Sequence, residues 1–262
     1  MSKNMLFIFT DQHQRDVTGC YGNQYVHTPN MDSIASGGVS FSNAYTNCPI
    51  CIPARASLAT GQYVNKIGYW DNGIPYDGEV RSWTHRLREA GHTVDAIGKL
   101  HYRSSEDDNG FTQEINTMHV VDKIGDILGC IRENPPLRNK RPGIGEAGPG
   151  SSTYIDYDRD IADRACKWLR DHSEDTKPWM LFVGFVQPHP PYITPKRYFD
   201  LYSANTVPMP PQWRQEEWPD HPAMEYFRKF FSIDTPFDED HIRRVRETYY
   251  GTVSQVDFQI GR

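Results

Sequence analysis

Three short apolar runs in this chain are each followed at once by polar side chains. The runs cover residues 5–10, 93–97 and 179–186. The first and last have the length and character of buried strands, and the second, which contains Asp95, is a short strand. Helical patterns separate them along the chain, and this alternation is typical of an α/β fold with a mostly parallel sheet between helices. Ligands of such folds bind beyond the carboxyl ends of the strands.

The polar residues that follow these runs are Asp11, the pair Lys99 and His101, and His189. Because the carboxyl ends of parallel strands meet at one edge, we expect these side chains to share a site there. Each also has an ordinary structural interpretation when taken alone. Asp is common at turns and helix caps, an isolated Lys is usually solvated, and an isolated His is usually packed.

Four helices and one further strand are predicted outside the stretch around Cys51. Periodic apolar positions predict helices over 80–90, 156–172 and 240–262. A fourth helix is expected to start at Thr28-Pro29, with Thr28 as its N-cap. Moderate alternation over 39–45 predicts a strand that leads into the stretch around Cys51.

Composition excludes several classes of protein. The net charge is −6, from 28 basic and 34 acidic residues, so there is no electrostatic case for nucleic acid or an anionic membrane. No apolar run reaches transmembrane length, and the N-terminus does not have the pattern of a signal peptide. Five cysteines, an odd number, disfavour a disulfide framework. We therefore expect a cytoplasmic protein.

The stretch around Cys51 predicts a short helix with a polar start. Pro53 suits a first helical turn and Gly61 suits a helix end, with Leu58 expected as the core anchor between them. Cys51 then lies at the helix N-terminus, where free N–H groups favour a thiolate or a bound oxyanion. Arg55, four residues on, lies on the same face as Cys51.

Two other interpretations of this stretch remain open from the residues alone. Cys48 and Cys51 have the spacing of a zinc or redox pair, although no second pair stands at ligand spacing. Cys51 could equally be a buried apolar filler, as most free cysteines are.

The order Cys51-Ile-Pro53-Ala-Arg55, with Leu58 and Gly61 behind it, resembles the signature of the sulfatase family. The resemblance implies that Cys51 is oxidised by a formylglycine-generating enzyme to formylglycine, whose hydrated aldehyde attacks sulfur. It selects Cys51 rather than Cys48, because only Cys51 has Pro and Arg at the required offsets.

Residues 91–101 resemble the second sulfatase signature, Gly-Tyr-x-Thr followed by Gly-Lys-x-His, with His92 in place of Tyr. This resemblance implies that Lys99 binds the sulfate oxygens. It also implies that His101 contacts a hydroxyl of the formylglycine hydrate and helps to expel sulfate. His189 matches the family's His-x-Pro motif, whose His binds sulfate and the leaving oxygen.

The family resemblance extends to the expected metal and substrate contacts. Asp11 matches the Asp that ends the first strand and binds a divalent metal, with one oxygen from residue 51 as formylglycine. Many sulfatases have a second Asp where this chain has Gln12, a further candidate ligand. This departure resembles the branch of choline sulfatases and phosphonate monoester hydrolases. In that branch Asn72 would contact substrate. Calcium is the expected metal, with manganese or magnesium as alternatives.

The resemblance implies an alkaline-phosphatase-like fold that is incomplete at its C-terminus. Residues 1–262 correspond to the N-terminal part of one catalytic domain, with long excursions at about 103–153 and 188–238. Full sulfatases continue into a strand that carries further metal ligands. We therefore expect the segment alone to be weakly active or inactive.

The expected function is hydrolysis of a small-molecule sulfate ester by a formylglycine-dependent, metal-dependent enzyme. A phosphonate monoester or phosphodiester hydrolase of the same superfamily is the nearer alternative. The more distant one is an inactive remnant that binds anions or a partner. We expect no nucleic acid or membrane partner, and homo-oligomers are common in the family.

Overall fold

The apolar runs form strands in a computed structural model of the chain, which describes residues 3–125, 137–202 and 207–262. The strands are Met5–Asp11 (β1), Thr93–Lys99 (β2), Gln113–Met118 (β3), Gly148–Pro149 (β4), Trp179–Pro188 (β5) and Ile193–Thr194 (β6). Strands β1, β5, β2 and β3 form one sheet in that order, and β2 runs parallel to both its neighbours. Strands β4 and β6 form a separate parallel pair. The expected mostly parallel sheet is confirmed.

All five predicted helices are present, with ends that differ by a few residues. The α-helices are Pro29–Ser36 (α1), Cys51–Thr60 (α2), Val64–Ile67 (α3), Trp83–Glu89 (α4), Arg141–Gly145 (α5), Thr153–Asp171 (α6), Lys196–Phe199 (α7), Pro222–Phe230 (α8) and Glu239–Ile260 (α9). Within the described ranges, none of these helices combines the length and apolar character needed to cross a membrane.

Two segments differ from the sequence-based expectation. Residues 39–45 form no strand, and Phe41 and Tyr45 are 70% and 89% exposed. Alternation alone does not make a strand, because the backbone also needs a partner for its hydrogen bonds. Conversely, β3 lies in the excursion that was expected to be irregular. Gln113 and Asn116 interrupt any apolar run there. In the described part of the sheet β3 lies at the edge, where partly exposed side chains can be polar.

The chain divides into two compact units. Unit 1 comprises Met1–Asp11, Phe41–Cys130 and Asp158–Val186, and unit 2 comprises Gln12–Ser40, Ile131–Tyr157 and Gln187–Arg262. Each predicted excursion includes residues outside the described ranges, at 126–136 in the first and at 203–206 in the second.

The sheet of unit 1 has helices on both faces. On one face, Val94 of β2 belongs to an apolar cluster that includes Ala56 of α2. On the other, Asp95 accepts a hydrogen bond from the indole N–H of Trp168 in α6, with Nε1 2.9 Å from Oδ2. Successive side chains of a strand point to opposite faces, so these contacts place α2 and α6 on opposite sides of the sheet.

Helix α1 of unit 2 is capped by a distant residue rather than by its own N-cap. The Thr28 side chain makes no capping hydrogen bond and instead accepts one from the Gly19 N–H. The carboxylate of Asp257 in α9 accepts from the N–H groups of Asn30 and Met31, at 3.2 and 2.8 Å. A carboxylate at this position also complements the positive end of the helix dipole.

Candidate functional site

Helix α2 begins at Cys51, so Pro53 is its third residue. Ile50, at the N-cap position, is extended and offers no side-chain cap. The side-chain oxygen of Asn72 takes this role, because Oδ1 accepts a hydrogen bond from the Ile52 N–H at 3.0 Å. Asn72 therefore lies at the same helix end as Cys51, and its contact with substrate remains a prediction.

The packing of α2 corrects one expectation about this helix. Leu58, predicted to be the core anchor, is 37% exposed. Ile52, Ala56 and Ala59 are buried instead. Their spacing of four and three residues defines one helical face, and Leu58 lies outside it.

A buried ion cluster lies where β1 and β2 end. The Lys99 Nζ is 2.5 Å from Asp11 Oδ2, and the Arg55 Nη2 is 3.3 Å from the same oxygen. All three side chains are no more than 7% exposed. Arg55 also donates from Nη1 to the Lys99 carbonyl oxygen at 2.8 Å, and its Cζ lies 4.9 Å from the Phe9 ring centroid. One carboxylate facing two cations leaves an excess of positive charge.

Two glycines, Gly98 and Gly184, face each other on neighbouring strands just before Lys99 enters this cluster. Gly98 is paired with Gly184 of β5 and has a φ of +90°, and the strand register shifts between Ile97 and Lys99. A Cβ at Gly98 would lie 2.3 Å from the Gly184 carbonyl oxygen, and a Cβ at Gly184 would lie 2.2 Å from the Lys99 carbonyl oxygen. Only glycine fits at either position without movement of the backbone.

The Cys51 sulfur lies 3.9 Å from Oδ1 of Asp11. Burial first, and then the Asp11 carboxylate, raise the pKa of the thiol from its ordinary 9.0, while Lys99 and Arg55 act in the opposite direction. The thiol is therefore protonated at neutral pH. This disfavours a thiolate at the N-terminus of α2 and leaves a bound oxyanion as the anion that this helix end suits.

His101 follows the cluster in an unusual backbone conformation. Its φ is +59°, and its N–H donates to the Met118 carbonyl oxygen at 2.8 Å. The same carbonyl accepts the Leu100 N–H at 3.2 Å, so the end of β3 fixes the backbone between Lys99 and His101. The expected strand-like alternation of these two residues is interrupted here, because a residue with positive φ is not extended.

The structure brings together Asp11, Cys51, Arg55 and Lys99, with Asn72 at the helix end, all within unit 1. Two other predicted site residues, Gln12 and His189, belong to unit 2. In that unit, His189 Nδ1 lies 2.7 Å from the Pro190 carbonyl oxygen, and its ring meets Tyr154 edge to face.

The predicted metal site is not complete in the described part of the chain. Within the described ranges, no group of three His, Cys, Asp or Glu side chains is arranged to hold a metal ion. Oδ2 of Asp11 is engaged by Lys99 and Arg55. Asp11 can therefore supply one carboxylate, and the remaining ligands of a metal are not assembled around it by these residues.

A family model for sulfatases matches residues 3–262. This chain belongs to the sulfatase family. Similar sulfatases include the arylsulfatase of Clostridium perfringens, 27% identical over 100% of this chain and 58% of the relative. The choline-sulfatase of Rhizobium meliloti is 26% identical over 98% of this chain and 52% of the relative. The chain spans about half the length of these curated relatives.

The sulfatase fold is supported independently by solved structures. The phosphonate monoester hydrolase of Agrobacterium radiobacter superposes with a TM-score of 0.70, at 22% identity, over 100% of this chain and 58% of that one. The matches thus include choline-sulfatase and phosphonate monoester hydrolase, the branch that Gln12 indicates. The alkaline-phosphatase-like α/β architecture expected of a sulfatase is confirmed.

Two features of this candidate site were not predicted from its motifs. Phe9 underlies the Arg55 guanidinium, and Asn72 caps α2. Phe9 is two residues before Asp11, and side chains two apart share a face of a strand. The sequence therefore could have predicted that Phe9 lies near the cluster. The sequence gives no indication that Asn72 caps α2, because the capping side chain usually belongs to the adjacent N-cap residue.

Proposed function

We propose that the protein containing this chain hydrolyses sulfate esters, with residue 51 as the nucleophile after conversion of Cys51 to formylglycine. The supporting observation is the buried cluster of Lys99, Arg55 and Asp11 beside Cys51. Burying three charges is costly in free energy, and it is a poor route to stability. The positions of Arg55 and Lys99 within the two sulfatase signatures support a catalytic use of the cluster.

The cations of the cluster suit an anionic ester. A sulfate ester presents anionic oxygens to the attacking oxygen, and nearby positive groups offset the charge that builds up in the transition state. We assign sulfate binding to Lys99 and charge stabilisation to Arg55. Because Arg55 also holds the Lys99 carbonyl oxygen, it keeps Lys99 in place as well. The N-terminus of α2 adds backbone N–H groups that favour an anion.

Formylglycine at position 51 would supply, as its hydrate, the oxygen nucleophile. Asn72 fixes the first turn of α2 and so orients residue 51. We assign His101 to proton transfer during the expulsion of sulfate, and His189 to binding of sulfate and the leaving oxygen. Asn72 is also the candidate contact for the remainder of the substrate.

A divalent cation would further offset the charge on the sulfate when bound, with Ca²⁺ favoured and Mn²⁺ or Mg²⁺ as alternatives. Asp11 would be one ligand, and residue 51 and Gln12 are further candidates. The described residues do not form this site by themselves, so no step of the reaction is assigned to the metal.

The mass of the peptide containing residue 51 tests the nucleophile. Conversion replaces the thiol by an aldehyde, so the peptide loses one sulfur and two hydrogens and gains one oxygen. We expect this mass in full-length protein that has been expressed with a formylglycine-generating enzyme and that hydrolyses an aryl sulfate. Active protein whose Cys51 is entirely unmodified would refute the proposed nucleophile.

The nearest alternative is a phosphonate monoester or phosphodiester hydrolase that uses the same residues. Gln12 and the fold of the Agrobacterium enzyme favour it. Comparison of kcat/KM for an aryl sulfate, a phosphodiester and a phosphonate monoester distinguishes the two, and we expect the sulfate to be preferred. A protein that binds sulfate but turns over none of the three would fit the remaining alternative, an inactive remnant.

A further inference from the structure

Unit 2 contains a cavity of about 390 Å³, lined by one face of α9 and by residues from the preceding segments. This volume is within the range of small-molecule sites, roughly 300–1,000 Å³. Its walls are mostly apolar: Tyr192, Phe237 and Tyr249 contribute aromatic rings, and Ile242 and Val245 contribute aliphatic side chains. Such walls favour a flat, apolar ligand.

One wall of the cavity is fixed by hydrogen bonds. The Tyr249 hydroxyl donates to the Gln12 carbonyl oxygen and accepts from the Gln14 N–H, each at 2.8 Å. The Tyr249 and Tyr192 rings meet edge to face, with centroids 6.4 Å apart. These contacts preform the aromatic part of the cavity, which lowers the entropy that a ligand must lose to bind.

Arg246 is the cationic residue of this lining. Its Nη2 makes a long hydrogen bond of 3.4 Å to the Tyr250 hydroxyl. Its Nε is buried and has no hydrogen-bond partner in the part of the chain that the structure describes. By contrast, Arg243 on the same helix pairs with Glu239 at 2.9 Å. A buried donor without a partner is costly, and an anionic ligand would satisfy it.

The charge of the lining selects between ligand classes. None of the described residues around the cavity is acidic, and His241 uses Nε2 to contact the Ile144 carbonyl oxygen. A quaternary ammonium group would meet the positive charge of Arg246 with no carboxylate to offset it. A guanidinium group instead matches the two oxygens of a carboxylate or sulfate.

We propose that this cavity binds a planar aromatic molecule that carries one anionic group, with Arg246 on the anion and the aromatic walls on the ring. An aryl sulfate and an aryl carboxylate share this chemistry. Either would bind here as a ligand distinct from the ester held by Lys99, and the relative affinities of phenyl sulfate and benzoate distinguish the two. The proposal itself does not depend on turnover at Cys51.

Calorimetric titration of the full-length protein with benzoate, phenyl sulfate and benzamide tests it. We expect both anions to bind at least about ten-fold more tightly than neutral benzamide, as a charged hydrogen bond predicts. Arg246→Gln should weaken the two anions about ten-fold and leave benzamide unchanged. Arg246→Lys keeps the charge but loses the planar fork, so it should lie between them.

Arg244→Gln is the matched control, because Arg244 is an exposed arginine of α9 that is not among the cavity residues. It should bind all three probes as the unaltered protein does. Benzoate that fails to bind the unaltered protein, or that binds Arg246→Gln with unchanged affinity, overturns the proposal.

Cys51→Ala separates this proposal from the proposed sulfatase activity. It should abolish hydrolysis of aryl sulfates and leave benzoate affinity unchanged, whereas loss of benzoate binding by this variant would contradict a site built from unit 2 alone.

Discussion

Unit 1 contains two carboxylates that each face two cationic side chains, one buried and one exposed. Asp11 is the buried case, with its own side chain 7% exposed and both partners 4% exposed. Asp108 is the exposed case: its side chain is 55% exposed, with Arg88 at 2.7 Å and Arg81 at 3.9 Å. The two clusters differ in their exposure to solvent, and in the exposed one Arg81 also pairs with Glu89.

The difference concerns water. Around Asp108, solvent screens the charges, and each exposed pair contributes roughly 0–1 kcal/mol to stability. Around Asp11, the charges have lost their hydration, and only their mutual contacts compensate for that loss. The exposed cluster can therefore lose a member cheaply, whereas the buried one cannot. A ligand that enters the buried cluster would also meet a stronger field than at the surface.

The largest expected effect is that of removing the buried carboxylate. Asp11→Ala leaves two buried cations without their anion, and it should lower the free energy of unfolding by about 3–5 kcal/mol. Asp108→Ala, the matched change at the surface, should lower it by less than about 1 kcal/mol. Urea unfolding of both variants measures this, and equal losses would contradict the comparison.

The glycine beside the buried cluster comes next. Gly98→Ala adds left-handed strain of about 1–2 kcal/mol and overpacking of about 1–3 kcal/mol against the Gly184 carbonyl oxygen. Gly91→Ala is the control, because Gly91 has a φ of +85° but no atom within 4 Å of an added Cβ. Gly91→Ala should therefore lower the free energy of unfolding only by the strain of about 1–2 kcal/mol. We expect Gly98→Ala alone to reduce sulfate ester hydrolysis, and unchanged activity would argue against Lys99 as a sulfate ligand.

A pair of helix caps provides a smaller contrast. Asn72 caps α2, which begins at Cys51. Ser82 caps α4, the helix that carries Arg88 of the exposed cluster. Replacing either by Ala should cost about 0.5–2 kcal/mol of stability. Only Asn72→Ala should also lower kcat, because its helix carries residue 51. Thermal melting and initial rates test both, and an equal fall in kcat for Ser82→Ala would contradict this assignment.

The smallest effect is the pH dependence of the exposed cluster. Hydrogen bonding from Arg88 lowers the pKa of Asp108 to about 2, from an ordinary value of 3.8. The folded state therefore binds the proton more weakly than the unfolded state. The stabilisation is full above about pH 5 and is lost as pH falls through 3.8 towards 2. Urea titrations at several pH values give the free energy of unfolding as a function of pH. Asp108→Asn should reduce its change across this pH range by less than about 1 kcal/mol. If the variant's stability depends on pH as steeply as that of the unaltered protein, Asp108 is not the group responsible.

Much of unit 1 could be predicted because its signals are local. Strands β1 and β5 are largely apolar runs, β2 is a short run interrupted only by Asp95, and the residues after all three belong to motifs with fixed spacing. Strand β3 could not be predicted in the same way, because an edge strand does not need an apolar run. Its role in holding the backbone of His101 is visible only in three dimensions.

The contacts that the sequence did not reveal join residues far apart in the chain. The Oδ1 of Asn72 caps a helix that begins 21 positions earlier, at Cys51, and Asp257 caps α1 across more than two hundred residues. The error about Leu58 has a different origin. A large apolar residue in a short helix was taken as the anchor, but the small residues Ala56 and Ala59 pack against the sheet.

Gly98 and Gly184 constrain how this domain can diverge or be engineered. A crowded pair of side chains can usually be relieved by making one of them smaller while the other grows. Here both members are already the smallest residue, and the atom nearest to an added Cβ is a main-chain carbonyl oxygen in each case. No second substitution at the partner position can therefore rescue the first. A mutant library built on this chain should hold both codons fixed, and screening effort is better placed elsewhere.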